Sequence, residues 1–506
     1  MQAALDSQGG GRRPKPQTDV AANQYGQPAR GVGACAGSDA GAGVSRIDIE
    51  QDERAAAPYA CFIGAHGVPQ RAAHMATDPI ANQAHHPVKT SPDRTTVHHL
   101  TQRSYALVLA GGRGSRLMQL TDWRAKPAVP FAGKLKIVDF ALSNCVNSGF
   151  RRIAVLTQYK AQSLIRHIER GWGFLESSLG EYVDVVPAQQ RMGEDWYSGT
   201  ANAVYQNLDI LREADADTVL VLAGDHVYKM NYARMLEEHV ARGADMSLAY
   251  IDAPLEQACH FGVVRLGRDA RVAAFEEKPL HPQPCADSPA RALVNMGVYV
   301  FNMKFLCDRL ARDAADSSSS HDFGRDLIPR MVREDRVFAH RFADSCVNMV
   351  GDRPYWRDVG TVDAYWEAHM DLIAVVPELN LYDPAWPIMS LQHQFPPAKF
   401  VFDEDGRRGM AVDSLVSGGC IVSGATVRRS VLFSNVRVAE YSVVEDAVIL
   451  LGAVVGRNVT LRRVVVDKNC ILPDSFKAGV YPAEDRSRFH VTERGVTLIT
   501  PKMLER

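Results

Sequence analysis

A six-residue period near the C-terminus constrains the fold of this 506-residue chain more than any other feature. Apolar residues recur at every sixth position, with small or polar residues between them, at Ile421, Val427 and Phe433, at Val448 and Val454, and at Val459, Val465 and Ile471. A hexapeptide period is typical of a parallel β-helix, in which each turn of the chain stacks on the next. An ordinary β-sandwich with coincidental spacing is the alternative. We therefore expect a parallel β-helix domain over residues 411–506.

The residues before this repeat alternate between strand-length apolar runs and helical periods. Apolar runs that predict buried strands occur at 105–110, 153–156 and 218–223. Because amphipathic helical periods lie between them, the pattern predicts an α/β domain with a doubly wound, mostly parallel sheet covered by helices on both faces. We assign residues 104–375 to this domain and residues 376–410 to a linker.

The first 103 residues have a different composition, rich in Gly, Ala, Gln, Pro and His and poor in aromatic residues. Such a segment buries too little apolar surface to offset its chain entropy, so we predict a disordered extension over residues 1–103.

Charge, hydropathy and cysteine usage exclude several classes of protein. Lys plus Arg total 57 and Asp plus Glu total 59, so the net charge of −2 argues against a chain built to coat nucleic acid. The longest apolar run, 447–456, is about half the ~20 residues that a membrane helix needs, so we expect no membrane partner. The nine cysteines are scattered singly and no secretory signal is recognisable, which favours a cytoplasmic protein.

A glycine-rich loop follows the first predicted strand and is the first candidate site. Its candidate phosphate-binding residues are Gly111, Gly112, Arg113, Gly114 and Arg116. Glycines let the backbone approach a phosphate, and arginines add bidentate charge. The loop is neither a Walker A motif nor a complete dinucleotide fingerprint, because no Gly-Lys-Ser/Thr follows and Leu117 replaces the third glycine. A purely structural turn stays open as the alternative.

Three charged motifs could complete a site. Lys126 precedes a proline, which holds it extended, and Asp225 follows the strand at 218–223, where ligands bind in open α/β sheets. A carboxylate there is costly without a cation, so we expect a magnesium ligand, with Asp358 as the second carboxylate. Lys278, which lies between the carboxylate of Glu277 and a proline, could hold a sugar phosphate. For each motif taken alone, a solvated charge, a cap or a salt bridge is the alternative.

Taken together, these motifs resemble the signature of the sugar nucleotidyltransferases, and most closely that of the bacterial ADP-glucose pyrophosphorylases. The motifs that carry the resemblance lie at 109–117, 126–127, 187–191, 196–201, 223–226, 261–263, 277–279, 320–324, 355–360 and 414–420. The resemblance implies transfer of the adenylyl group of ATP to α-D-glucose 1-phosphate for glycogen synthesis. It also implies a left-handed β-helix, a homotetramer and small-molecule allosteric effectors.

The resemblance also implies a role for each candidate residue. Asp225 and Asp358 would bind magnesium, and Arg113, Arg116 and Lys126 would neutralise the departing pyrophosphate. The residues at positions that match the sugar site are Tyr197, Gly262, Glu277, Lys278 and Asn295, with Lys278 on the phosphate of glucose 1-phosphate. Gln189 and Gln190 are candidates for the adenine edge, since an amide offers both a donor and an acceptor.

Two positions depart from the family pattern. Asn295 stands where members commonly have serine, so the detailed contact with the sugar changes. Trp123 stands where enteric-type members have a basic residue that helps to bind a sugar bisphosphate activator, so the effector preference does not carry over. A shallow anion site lined by Arg124, Arg462 or Arg463 is one hypothesis, and a solvated surface is the other.

Other functions stay open at this point. The nucleotide could be UTP or dTTP, and the chain could be a regulatory subunit with a dead site, although the intact Asp225, Lys278 and Arg116 argue against that. Acyl transfer by the β-helix is disfavoured, because such domains use a histidine base and none occurs between His393 and His490.

Overall fold

The computed structural model describes residues 94–189, 196–351, 353–404 and 406–505. None of the helices in these residues has the length and apolar character that crossing a bilayer requires. The helices of the α/β domain are α1 (Arg94–Gln102), α2 (Val138–Asn147), α3 (Gln162–Gly171), α4 (Thr200–Tyr205), α5 (Leu208–Glu213), α6 (Tyr232–Ala241), α7 (Leu255–Ala258), α8 (Met303–Ala314), α9 (Ile328–Glu334) and α10 (Val362–Leu372).

The strands of this domain form one large sheet and two short ribbons. They are β1 (Ser104–Leu109), β2 (Pro130–Phe131), β3 (Leu135–Lys136), β4 (Arg152–Thr157), β5 (Tyr182–Pro187), β6 (Thr218–Ala223), β7 (His226–Tyr228), β8 (Met246–Pro254), β9 (Gly262–Leu266), β10 (Val272–Glu277), β11 (Arg291–Asn302), β12 (Val337–Arg341) and β13 (Trp356–Asp358). Strands β2 and β3 pair with each other, as do β7 and β13.

The nine-stranded sheet confirms the predicted α/β class. Strands β6, β1, β4 and β5 are parallel neighbours in that order. A hydrophobic core lies on each face of the sheet. The core on one face includes residues of α4, α5, α8 and α9, and the core on the other face includes residues of α2, α3 and α6. The second half is mixed, because β11 is antiparallel to β6, β8 and β9. The only helix between β8 and β11, α7, has four residues, too few for the crossover that parallel pairing needs.

Helix α1 corrects the predicted disordered extension, which is wrong for residues 94–102. Thr101 is buried, Leu100 packs against the core on one face of the sheet, and the guanidinium of Arg152 donates to the carbonyl of Gln102 at 2.7 Å. A few apolar contacts were therefore enough to order a segment whose neighbours are polar. Residues 1–93 lie outside the described residues.

The C-terminal domain is a parallel β-helix with three stacked sheets, consistent with the predicted left-handed form. Its elements are β14 (Lys399–Val401), β15 (Asp403–Glu404), β16 (Arg407–Arg408), β17 (Met410–Val412), β18 (Leu415–Val416), β19 (Ile421–Ser423), β20 (Thr426–Arg428), β21 (Val431–Leu432), β22 (Arg437–Val438), β23 (Val443–Glu445), β24 (Val448–Ile449), β25 (Val454–Val455), β26 (Thr460–Arg462), β27 (Val464–Val466), β28 (Ile471–Leu472), β29 (Lys477–Ala478), α11 (Pro482–Arg488), β30 (His490–Val491), β31 (Thr497–Ile499) and α12 (Pro501–Leu504). It begins at β14, inside the predicted linker of residues 376–410.

The apolar residues of the six-residue period do not all fill the β-helix. Val427 and Val459 are in its interior, but Phe433, Val448 and Val465 pack in the cluster that joins the β-helix to the α/β domain. Ile471 lies on the outer surface, with 71% of its area exposed. A strict six-residue period drifts out of phase because equivalent strand positions are separated by 17 residues rather than 18 in successive turns, as between Val431, Val448 and Val465.

Helix α10 joins the two domains directly. The indole of Trp366 donates to the carbonyl of Asp446 at 2.7 Å, and the ring of His369 lies 5.8 Å from that of Phe433. Helix α10 begins four residues after Asp358, a predicted catalytic carboxylate. The β-helix therefore packs against the helix that directly follows this carboxylate in the chain.

Candidate active site

The glycine-rich loop connects β1 to a 3-10 helix over Ser115–Thr121. Gly114 has a φ of 65°, and a Cβ there would lie 2.8 Å from the Cβ of Lys126, so both the backbone and the space favour glycine. A Cβ at Gly111 would lie 3.3 Å from the Cβ of Gln158, whereas a Cβ at Gly112 would meet nothing within 4 Å. The loop therefore brings the backbone against Lys126 and leaves its other side open.

The two predicted carboxylates meet because their strands pair. Strand β7 follows Asp225, and it pairs antiparallel with β13 so that His226 is opposite Asp358. The Nζ of Lys126 lies 2.8 Å from Asp225 Oδ2 and 2.5 Å from Asp358 Oδ1, and the guanidinium of Arg116 lies 3.3 Å from Asp358 Oδ2. All four residues predicted to be catalytic are thus brought together.

The charges of this cluster depend on one another. Burial alone would raise the pKa of Asp225 and Asp358, but the ammonium of Lys126 holds both below their ordinary range. Burial likewise opposes the charged form of Lys126, and the two carboxylates outweigh it and raise the pKa of its ammonium. At neutral pH these three side chains therefore carry two negative charges and one positive charge, and the guanidinium of Arg116 beside Asp358 adds a second positive charge.

The donor atoms fit a divalent metal. Asp225, His226 and Asp358 each offer a ligand atom, and these atoms lie within 4.8 Å of one another. Carboxylate oxygens are the ligands that magnesium prefers, whereas an imidazole nitrogen suits transition metals better. His226 was not among the predicted site residues, although it directly follows Asp225. Its Nδ1 is buried and makes no hydrogen bond within the described part of the chain.

Glu277 and Lys278 lie at the end of β10 and define a second part of the cleft. A Cβ at Gly262 would come within 2.9 Å of Glu277 Oε2, and a Cβ at Gly324 within 2.5 Å, so Glu277 is seated between two glycines. Lys278 has a φ of 48°, and its Nζ lies 3.1 Å from Glu277 Oε1 while more than half of its side chain is exposed. This lysine is therefore free to contact a ligand phosphate.

Tyr197 and Asn295 make polar contacts within the protein. The hydroxyl of Tyr197 accepts from the amide of Asn207 at 2.9 Å, and its carbonyl accepts from Gln158 at 3.2 Å. Asn295 donates from Nδ2 to the hydroxyl of Tyr299 at 2.7 Å.

Of the two predicted adenine-reading residues, the structure describes only Gln189, which is not joined to this cluster. Gln189 is exposed just after β5 and makes no side-chain hydrogen bond to another described residue. Gln190 lies outside the described residues.

Several aromatic side chains at the cleft were not singled out from the sequence, although Phe261, Phe323 and Trp356 belong to motifs that were. The ring of Trp356 lies 4.9 Å from that of His226 and 5.3 Å from that of Phe261, so aromatic contacts connect the carboxylate pair to the strand that carries Gly262. Phe323 stacks on Tyr299 at 6.0 Å. In the sequence, Trp356 and Phe323 could have been recognised as site residues because they lie within the motifs at 355–360 and 320–324.

The predicted shallow anion site is corrected. Arg462 pairs with Glu445 at 3.2 Å, and the guanidinium of Arg463 lies over the ring of Trp366 at 4.4 Å. Arg124 is buried rather than superficial, and its Nη2 donates to both carboxylate oxygens of Asp467 at 2.9 Å. The three arginines therefore have separate partners and do not line one shallow surface.

A glycine-rich loop, a lysine-bridged carboxylate pair and a hexapeptide β-helix define a class of enzyme, and the comparisons agree. Residues 105–374 match the nucleotidyl transferase family, and residues 396–499 match the GlmU-like C-terminal hexapeptide family. The chain therefore belongs to the nucleotidyl transferases.

Similar proteins identify the family within the nucleotidyl transferases to which the chain belongs. The chain is 63% identical over 417 residues to a glucose-1-phosphate adenylyltransferase of Nitrosospira multiformis, covering 82% of this chain and 98% of that protein. Proteins of the same name from Methylobacillus flagellatus and Nitrosomonas europaea are 61% and 58% identical, covering 81% and 82% of this chain and 96% and 97% of those proteins. The chain is thus a member of the glucose-1-phosphate adenylyltransferase family, which confirms the resemblance found in the sequence motifs.

Proposed function

We infer that this enzyme transfers the adenylyl group of ATP to α-D-glucose 1-phosphate, giving ADP-glucose and pyrophosphate for glycogen synthesis. The observation that carries this proposal is the bridge of Lys126 between Asp225 and Asp358, next to a glycine-rich loop. The relatives at 63% and 61% identity share the corresponding name.

The chemistry requires positioning and charge neutralisation rather than covalent help. An anionic phosphate oxygen of the sugar phosphate forms a bond to the α-phosphorus, and the bond from that phosphorus to the bridging oxygen breaks as pyrophosphate leaves. No proton has to be removed from the attacking oxygen, so no general base is needed. Arg113, Arg116 and Lys126 neutralise the charge that develops on the leaving group, and Lys278 holds the phosphate of the attacking sugar.

We propose magnesium as the metal. Asp225 and Asp358 would hold it, because their oxygens match its preference and their net charge with Lys126 is negative. When bound, the metal supplies positive charge to the reacting phosphates.

A nucleotide panel tests the function. ATP, UTP, dTTP, CTP and GTP are each incubated with glucose 1-phosphate and Mg²⁺, and pyrophosphate release is followed. Fastest release with ATP is the expected result, and we propose that Gln189 and Gln190 contribute to that preference by reading the adenine edge. Preference for UTP or dTTP would reassign the nucleotide, and release with none of the five would contradict the proposed reaction.

A cluster of basic groups is a candidate site for anionic effectors. The buried Arg124 uses one nitrogen on Asp467, while its Nε and Nη1 have no hydrogen-bond partner in the described part of the chain. The positive charges of Arg124 and Lys468 both lower the pKa of Lys136. We propose that a sugar bisphosphate binds these groups between the two domains. Trp123, which is 75% exposed, contributes no charge there.

We also propose that the enzyme is a cytoplasmic homotetramer. One outward row of a β-helix sheet contains Ile421, Val454 and Ile471, with Arg437 between Ile421 and Val454 and Lys399 on the end strand. Ile471 at the far end of this row is 71% exposed, and such an exposed apolar side chain suits contact with a second copy of the chain. Light scattering of the full chain measures the assembly.

A further inference from the structure

Strand β11 contains an irregularity at the sugar side of the cleft. Its register with β8 shifts between Asn295 and Tyr299, and Gly297 between them has a φ of 69°. A Cβ at position 297 would lie 3.0 Å from the Cβ of Ala223, so both the backbone and the packing favour glycine. Such irregularities re-aim side chains next to active sites. Here the result is that the side chains of Asn295 and Tyr299 meet at 2.7 Å.

The orientation of the Asn295 amide follows from its second contact. The backbone N–H of Gly297 donates to Asn295 Oδ1 at 3.1 Å. A backbone N–H can only donate, so the oxygen of the amide faces Gly297 and the NH₂ group faces Tyr299. The hydroxyl oxygen of Tyr299 therefore accepts a hydrogen bond from Asn295, and the phenolic proton must point elsewhere.

That proton has no acceptor within the described part of the chain. Tyr299 is 7% exposed and stacks on Phe323, so solvent has little access to its hydroxyl. Burial, together with the negative charges of Glu277 and Asp322, raises the pKa of Tyr299, so the phenol keeps its proton. A buried donor without an acceptor is unfavourable, and a ligand oxygen in the adjacent cleft would satisfy it.

We propose that Asn295 is a positioning residue for the sugar site: it fixes Tyr299 as a hydrogen-bond donor to an acceptor oxygen of the bound sugar 1-phosphate. This inference rests on the proposed function. A serine at position 295 would both donate and accept, so it would not impose one polarity on Tyr299. The asparagine therefore restricts the cleft to ligands that present an acceptor at this point.

A double-mutant cycle on the full-length enzyme tests the proposal. Asn295→Asp keeps the shape and the bond from Gly297, but its carboxylate would accept the phenolic proton and reverse the polarity. We expect Asn295→Asp and Tyr299→Phe each to raise KM for glucose 1-phosphate about tenfold or more and to leave KM for ATP within about twofold. In the Tyr299→Phe background, Asn295→Asp should add little.

The outcomes separate the two proposals. If Asn295→Asp acted only by repelling the sugar phosphate, its effect would persist in the Tyr299→Phe background, and an additive cycle of this kind overturns the role of Asn295. A rise in KM for ATP as large as that for glucose 1-phosphate would overturn it too, because a general disturbance of the cleft would then be the cause. Wild-type enzyme that releases no pyrophosphate from ATP and glucose 1-phosphate contradicts the proposed reaction instead.

Discussion

At the scale of single residues, the ion pairs of Lys126 compete with the role proposed for it in catalysis. Its ammonium lies between the carboxylates of Asp225 and Asp358, where it offsets their mutual repulsion, and only 5% of its side chain is exposed. The same group is proposed to neutralise a departing pyrophosphate. If a metal bound the two carboxylates, the ammonium of Lys126 would be free to contact the phosphates. The lysine and the metal would then stabilise the carboxylate pair one after the other.

Replacing Lys126 with methionine should therefore strengthen metal binding while it abolishes turnover. Without the ammonium, only the guanidinium of Arg116 beside Asp358 offsets the two negative charges, and we expect Mn²⁺, as a probe, to bind about tenfold tighter in the absence of nucleotide. The rate should fall about a hundred- to a thousandfold. Calorimetry of Mn²⁺ binding and pyrophosphate release measure the two effects.

Lys278→Met is the matched control, because it removes the same charge from an exposed position in the same cleft. It should leave Mn²⁺ binding unchanged and should raise KM for glucose 1-phosphate more than KM for ATP. Unchanged or weaker Mn²⁺ binding in Lys126→Met would mean that the lysine does not compensate the metal ligands.

At the scale of elements, helix α1 extends the folded chain beyond the predicted boundary. A chain that begins at residue 104 lacks the buried Thr101 and the contact of Leu100 with the core, whereas a chain that begins at residue 94 keeps both. We expect the shorter chain to unfold at a temperature lower by up to roughly 5 °C, since Leu100 is partly buried and deleting a fully buried leucine side chain costs about 2–5 kcal/mol. Equal melting temperatures in scanning calorimetry would show that α1 contributes nothing.

Helix α10 makes the stability of the domain junction depend on pH. His369 is fully buried among aromatic rings; its Nε2 accepts from the N–H of Ala132 at 3.1 Å, and its Nδ1 donates to the carbonyl of Tyr365 at 2.8 Å. Burial lowers the pKa of His369 from 6.5 to about 4. Between those values the unfolded chain binds a proton that the folded chain does not, so stability falls as the pH drops from 6.5 toward 4.

The expected loss at this histidine is on the order of 3 kcal/mol across that range, since each pKa unit corresponds to about 1.4 kcal/mol. Urea denaturation from about pH 7 to about pH 4.5 should show a shallower pH dependence for His369→Gln than for the wild type. The exposed His281→Gln provides the control and should keep the wild-type slope. Equal slopes for all three proteins would exclude His369 as the source.

These elements also show how far the sequence could predict the molecule. Buried strands such as β1 and β6 were evident from short apolar runs, and the carboxylate pair was predicted because strand ends collect ligand-binding groups. The 17-residue turn of the β-helix was not predicted, although Asn435, Gly452 and Asn469 mark one of its left-handed corners at that spacing. A second left-handed corner carries Arg429, Asp446 and Arg463, with φ of 43°, 49° and 51°, and these are not typical turn residues.

At the scale of the whole molecule, the two domains meet around a group of basic side chains that Asp467 and Asp139 compensate only in part. Arg124 of the α/β domain pairs with Asp467 of the β-helix, and both side chains are about 5% exposed or less. Lys136 donates from Nζ to the carbonyl of Ser163 at 2.8 Å. An anion that bound here would contact residues of both domains. One of these residues, Arg124, lies two positions before Lys126 in the chain. We therefore propose the junction as a route from a bound effector to Lys126.

The titration of Lys136 gives this junction a measurable signature. Burial lowers its pKa to about 8, against the opposing charge of Asp139 and with the help of Arg124, Lys468 and Arg166. A bound anion favours the charged ammonium, so it would raise this pKa and take up a proton when it binds above pH 8. The affinity for an anionic effector should then fall as the pH rises through 8, by at most about tenfold per pH unit for one linked proton.

Fructose 1,6-bisphosphate, a sugar bisphosphate, serves as the probe, titrated against the full-length enzyme from about pH 7 to about pH 9.5 with activity and calorimetry as readouts. The Lys136→Met enzyme should bind it more weakly at pH 7 and should lose the pH dependence, because the titrating group is gone. Lys477→Met, which removes an exposed lysine of the β-helix, should behave as the wild type. A pH dependence that survives in Lys136→Met would place the linked proton elsewhere, and wild-type affinity in that variant would remove Lys136 from the effector site.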